Sequence, residues 1–411
     1  MRVTPRTLGR VLAGACAAVV LGVLPALPAG AAVADPVQQQ QQWVFGMMNI
    51  PAAWQVTKGA DVTVAVIDSG VNPDVSDLTG SVVTGPDYTG LHTSENNPDW
   101  GLHGTWMASI IAGHGHDDGA DGIIGVAPEA KILSIRVIPD KEDPGYQTYN
   151  AESEERIQGE LADGIITAVK DHAKVISMSI GYSAPSGAVR AAIQYAYQHG
   201  TVLVASSGNS GDNDTRHSAG SSDMAPVSFP AEYPGVISVG AVTMDRQPAS
   251  FSSGNLSVKV AAPGKGVPAQ GRNGLYYTVD GTSPACALVA GVAALIESRY
   301  PAISPALVEE ALTTTAQQSP AGAYNVLTGF GIVNAGAALT EAGRLIKEQP
   351  QGSQVALDTH FGGGAAAVPA EPVTSGGDGR LVAFMVLVLL SLAVVAGGIV
   401  GIVRTREARR G

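Results

Sequence analysis

Three short glycine-bearing segments place an acid, a base and a nucleophile in one chain. They are Val66-Ile-Asp-Ser-Gly70, His103-Gly-Thr105 and Gly281-Thr-Ser-Pro-Ala285. A serine hydroxyl is a weak nucleophile until an imidazole takes its proton, and the imidazole needs a buried carboxylate to hold its tautomer. Asp68, His103 and Ser283 supply these groups in the order acid, base, nucleophile. Acyl transfer also needs a donor for the oxyanion, and Asn209, which closes Thr201-Val-Leu-Val-Ala-Ser-Ser-Gly-Asn209, offers a side-chain amide. Singly, each residue has an ordinary use. Asp68 suits a strand-end turn, His103 a cap or a packed ring, Ser283 a helix N-cap, and Asn209 a left-handed turn. The four together, each at the end of an apolar element, point to acyl transfer through a serine nucleophile, which requires no cofactor.

The flanking residues predict the elements that deliver these groups. The run Val62–Ile67 reads as a buried parallel strand with Asp68 at its carboxyl end. His103 opens an apolar helix through Ala112. Ala285–Ile296 is apolar all round and therefore predicts a buried helix, with Pro284 at its first position and Ser283 at its mouth. There the Ser283 N–H can point at a developing oxyanion. A further strand, Lys174–Gly181, ends in Ser179-Ile-Gly181, a backbone edge suited to pairing with an extended peptide. Strands are predicted near 62–67, 131–138, 174–180, 201–207 and 236–241. Helices are predicted near 103–113, 157–172, 187–199, 284–298 and 304–316. Alternation of this kind predicts an α/β fold: a mostly parallel sheet covered by helices on both faces, with the site at the carboxyl ends of the strands.

These motifs resemble the subtilases over roughly residues 43 to 340, including the order Asp, His, Ser that sets this family apart from other serine hydrolases. Gly125-Val-Ala-Pro128 and Phe330-Gly-Ile-Val-Asn-Ala335 also resemble family landmarks. The resemblance implies a subtilisin-like three-layer fold. It implies Asp68 as orienting acid, His103 as base and then acid, Ser283 as nucleophile and Asn209 as oxyanion donor. It further implies Ser179, Gly181 and Gly208 as substrate-binding positions, and a polypeptide as substrate. Three residues depart from the family pattern: Pro284 after the serine where methionine is common, Trp106 where many members have a second histidine, and Cys286 in place of a small residue.

Both ends of the chain imply a location. Arg2, Arg6 and Arg10 precede the apolar stretch Val11–Leu24, and small residues follow in Ala29-Gly-Ala31 and Ala32-Val-Ala34. That is the pattern of a secretory signal over residues 1–34. Leu381–Val403 is an uncharged run of 23 residues, about 35 Å as a helix and so long enough to span a hydrocarbon core. Arg404, Arg406, Arg409 and Arg410 follow it and place the tail 404–411 in the cytoplasm by the positive-inside bias. The expected order is signal, catalytic domain 35–345, flexible linker 346–380, transmembrane helix 381–403 and cytoplasmic tail. This order resembles that of the mycosins, membrane-anchored subtilases of type VII secretion systems, and implies a membrane secretion complex as partner. The extension before Trp43 is too short for the long prodomain of many secreted subtilases.

The chain carries 24 basic and 36 acidic residues, net −12. Signal and tail hold seven of the arginines, so the exported part is more acidic still, which excludes a phosphate backbone as a natural partner. Cys16 lies in the signal, leaving Cys286 with no partner for an intrachain disulfide. His114-Gly-His116-Asp-Asp118, with Asp121 beyond, holds metal-ligand residue types; its glycine-rich setting reads better as a solvated loop, and calcium sites are not legible. Gln38–Gln42 is a polar tract without evident chemistry. Pro139–Glu155 is an acidic insertion between a strand and a helix, with no assigned role.

Overall fold

The structure, a computed structural model, describes residues 35–93, 96–97, 100–211 and 224–348. The predicted signal, the predicted span at 381–403 and the tail lie outside the described residues. Among the described residues no helix is long and apolar enough to cross a membrane.

Seven strands form one parallel sheet: β1 (Thr63–Asp68), β2 (Val82–Asp87), β5 (Lys131–Arg136), β6 (Val175–Met178), β7 (Val202–Ser206), β8 (Val236–Val242) and β9 (Val258–Pro263), in the order β2-β5-β1-β6-β7-β8-β9. Two antiparallel hairpins sit apart from it, β3 (His114–His116) with β4 (Asp121–Ile124), and β10 (Val267–Gln270) with β11 (Tyr276–Val279). The interior strands are buried on both faces, as the near-continuous apolar runs require. Successive residues of β1 divide between two cores. Val64 and Val66 pack on one side with α3 (Leu102–Ala112), α7 (Thr282–Arg299), α8 (Pro305–Thr314) and α9 (Ala335–Glu348). Ala65 and Ile67 pack on the other with α5 (Glu154–Lys170) and α6 (Gly187–Gln198). This is the expected three-layer α/β fold.

The short elements were the ones the sequence pattern hid. The glutamine tract lies in α1 (Pro36–Met48), which Asp35 caps and which is followed by α2 (Ile50–Trp54). Gln41 is buried and pairs in both directions with the backbone of Ile124. The tract therefore straps the β3–β4 hairpin to the domain. The His114–Asp121 segment is that hairpin, in place of a solvated loop. His114 bonds to the Thr79 carbonyl and His116 to Asp77, so both rings tie the hairpin to the short 3-10 turn Ser76–Leu78. His116, Asp117 and Asp121 bring three ligand-type atoms within 4.8 Å of one another, while Asp118 is exposed. The expected end of the domain at residue 345 falls inside α9, which runs to Glu348.

One buried charge makes a testable statement about stability. Glu297, in the last turns of α7, is 1% exposed and neither carboxylate oxygen has a hydrogen-bond partner among the described residues. Burial disfavours the carboxylate and pushes its pKa up to about 8, against a smaller pull from Lys174. The folded state then holds a proton that the unfolded chain has released, so stability falls as pH rises from about 4.5 to about 8. Glu297→Met removes the titration. Its advantage over the wild type should widen by about 1.4 kcal/mol per pH unit across that window, which urea unfolding at pH 5 and pH 7.5 would measure.

Candidate active site

Parallel packing brings the carboxyl ends of β1, β6 and β7 to one edge of the sheet, and the candidate residues follow from there. Asp68 is the last residue of β1 and 1% exposed. Its Oδ1 lies 2.7 Å from His103 Nδ1 and also accepts the Ser69 N–H at 2.7 Å. His103 sits in the first turn of α3 with its side chain 28% exposed. With Nδ1–H given to the carboxylate, Nε2 is left with a lone pair, the tautomer a general base requires. Burial alone would lower the pKa of this imidazole. The charge and hydrogen bond of Asp68, with a contribution from Asp140, outweigh burial and carry it to about 8.

α3 can approach β1 this closely because Gly104 has no side chain: a Cβ there would lie 2.1 Å from the Gly70 carbonyl oxygen. Trp106 stands edge-on to the imidazole, with ring centroids 6.2 Å apart, and packs in turn on Tyr277.

Ser283 lies in the first turn of α7, whose cap is Gly281. The helix starts at Thr282, two residues before the proline that was expected to open it. Amides of the first turn have no intrahelical acceptor, so Pro284 is tolerated at the third position as well. The Ser283 N–H is one of these amides without an intrahelical acceptor. Gly281 has φ 147° and ψ 172°, a conformation open essentially to glycine alone. Asn209 Oδ1 accepts both the Thr282 N–H and the Thr282 hydroxyl at 2.9 Å. A backbone N–H can only donate, so the accepting atom must be oxygen and Asn209 presents Nδ2 as a donor. Gly208, at φ 101°, donates its N–H to Thr282 Oγ1 at 3.3 Å. Ser179 Oγ donates to the Ser283 carbonyl at 3.2 Å. Cys286, one turn behind Ser283, is fully buried against Ser177 and Met178, and burial raises its thiol to about 11. It is inert packing.

Two adjoining cavities share Ser179, Gly181, Tyr182 and Ser183. One, of about 440 Å³, is bordered by Ser283, Asn209 and Gly208. The other, of about 740 Å³, is bordered by His103, Trp106 and most of the acidic insertion, including Asp140, Tyr149 and Glu154. The insertion, which contains α4 (Tyr146–Asn150), thus forms a wall of the same cleft. Its anchor is Arg136, a fully buried guanidinium overlooked in the sequence. It bonds Ser69, Asp87, Thr89 and Asp143 and faces Trp100. The available signal was a lone charge closing the apolar run Lys131-Ile-Leu-Ser-Ile-Arg136.

The fold and this site define a class. Residues 59–335 match the peptidase S8 subtilase family, and the chain belongs to it as a subtilisin-like serine protease. Within the family it is mycosin-like. It is 34% identical to mycosin-3 of Mycobacterium tuberculosis over 403 residues, covering 88% of this chain and 79% of that protein. It is 35% identical to subtilisin DY of Bacillus licheniformis over 281 residues, covering 68% and 92%. Among solved structures, MycP1 with its N-terminal propeptide removed superposes with a TM-score of 0.59 at 29% identity, covering 72% of this chain and 96% of that one. MycP3 protease from the type VII (ESX-3) secretion system gives 0.58 at 31%, covering 72% and 87%.

Proposed function

We propose that the protein is a membrane-anchored, extracytoplasmic endopeptidase that cleaves exported polypeptides through Asp68, His103 and Ser283, in association with a type VII secretion complex. The observation that carries the catalytic part is the 2.7 Å Asp68–His103 pair, with His103 and Ser283 bordering two adjoining cavities of one cleft. A substrate strand lies along Ser179–Gly181, with Gly208 at the floor of the neighbouring pocket. Ser283 Oγ attacks the scissile carbonyl while His103 Nε2 takes the hydroxyl proton. Asp68 stabilises the imidazolium, and the Ser283 N–H and Asn209 Nδ2 receive the oxyanion. Collapse breaks the C–N bond, and His103 returns its proton to the leaving amine. Water, activated by the same base, then hydrolyses the acyl-enzyme. Because the base must be neutral, kcat/KM in the free enzyme rises as pH passes through about 8.

The location rests on the ends of the chain. The signal at 1–34, the linker beyond the catalytic domain, the span at 381–403 and the basic tail at 404–411 together hold the domain outside on one helix. The likeness to mycosin-3 reaches 88% of the chain, well past the family domain at 59–335. A structural part in the complex, separate from proteolysis, is a second reading. It is favoured by a neighbour described as an essential component of the type VII (ESX-1) secretion system, which covers 72% of this chain at 32% identity.

One set of strains tests both. With a tag after Gly411, external protease should release the catalytic domain and leave the tag protected; a tag digested in intact cells would refute the orientation. Deletion of the gene should impair export of secretion-system substrates more than Ser283→Ala does. Normal export in the deletion strain would leave a general surface protease.

A further inference from the structure

The acidic insertion does more than border the cleft. α3 begins with Gly101 in a left-handed conformation, φ 72°, and glycine has no side chain with which to cap the helix. The first two amides, those of Leu102 and His103, are satisfied from 38 and 37 residues away. Asp140 Oδ2 accepts the Leu102 N–H at 2.7 Å, and Asp140 Oδ1 accepts the His103 N–H at 3.1 Å. Asp140 is 8% exposed and is held in place by its own connection. The Asp143 N–H donates to the Asp140 carbonyl, and the Asp143 carboxylate is bound by buried Arg136 at 2.8 Å. Ser69 completes the arrangement. It follows Asp68 in the chain, and its hydroxyl accepts the Gly104 N–H at 3.1 Å. His103 is therefore gripped twice, at the ring by Asp68 and at the backbone by Asp140.

We propose that Asp140 is a positioning residue for the base: its carboxylate fixes the start of α3, and with it the reach of the His103 ring, while its negative charge favours the imidazolium formed during acyl transfer. The inference rests on His103 acting as the general base. A charge at this place complements the positive end of the helix, and a base displaced by a fraction of an ångström loses the alignment on which transfer depends. Few other charges reach the imidazole. Asp68 on β1 is its ring partner, and Arg136 on β5 is already bound by Asp87 and Asp143. Lys141, Glu142, Glu152 and Glu154 stand on the wall of the larger cavity. Burial raises the Asp140 carboxyl to about 6, with the nearby imidazolium opposing that shift, so the cap is ionised wherever the base is neutral.

The test uses the full-length chain and a peptide substrate, with kcat, KM and the pH profile measured for Asp140→Asn and Asp140→Ala. Asparagine keeps an acceptor and loses the charge. It should lower kcat several-fold and move the acid limb of kcat/KM downward by up to about one pH unit. Alanine loses both functions, and kcat should fall by ~10–10²-fold with KM changed far less. If alanine prevents folding, the asparagine variant decides the matter. A folded Asp140→Asn protein whose acid limb stays at the wild-type position overturns the proposal, as does wild-type kcat in both folded variants. Failure of the catalytic reading looks different, because His103→Ala and Ser283→Ala would then retain activity while the Asp140 variants behaved as the wild type.

Discussion

Ser283→Ala is expected to lower turnover by ~10⁶, the order found when the corresponding serine is removed from subtilisin, with little change in stability. The size of the effect follows from interdependence. His103 has no proton to take once the hydroxyl is gone, and Asp68 then orients an idle ring, so removing the serine costs nearly as much as removing all three. Residual hydrolysis comes from the oxyanion donors and substrate alignment acting on water. The fold should survive because Ser283 is only partly buried. The α7 start is held by other groups, Asn209 with Thr282 and the Ser179 bond to the Ser283 carbonyl. A fluorophosphonate should therefore label the wild type and leave a folded Ser283→Ala protein unmarked. Equal labelling of the two would remove Ser283 from the role of nucleophile.

Much of this site was legible because its parts sit where apolar periodicity breaks. β1 ends in Asp68, the β7 run leads to Gly208-Asn209, and the all-round apolar α7 begins beside Ser283. In each case a buried element ends at the sheet edge, so the polar residue there is placed beside the cleft, buried for Asp68, half-buried for Ser283 and exposed for Asn209. Secondary elements with that signature were placed to within a few residues. The edge strands β2 and β9 lack it: β2 contains Gly85 and Pro86 and is largely exposed, and β9 is broken by Lys259. The glutamine tract of α1 shows no apolar stripe, since Gln41 is buried through backbone hydrogen bonds that hydropathy cannot register. Asp140 and Arg136 were missed for a related reason. Most of their partners are 37 to 67 residues away in the chain, and nothing local distinguishes a carboxylate that caps a distant helix from one that is merely solvated.

Asn209 offers the second large effect, and its two roles can be separated. Its Oδ1 holds the Thr282 amide and hydroxyl, which seats the first turn of α7 and hence the nucleophile. On the proposed mechanism its Nδ2 is the side-chain donor for the oxyanion. Asn209→Ala loses both roles, and turnover should fall by ~10²–10³, as for the equivalent donor in subtilisin. Asn209→Asp retains an acceptor for Thr282 but replaces the donor with a negative charge facing a developing negative charge. If stabilising the oxyanion is what matters, aspartate should be no better than alanine, with the loss confined to kcat because the oxyanion exists only beyond the ground state. Recovery of activity in Asn209→Asp would instead assign Asn209 to holding Thr282 and leave the Ser283 N–H as the principal donor.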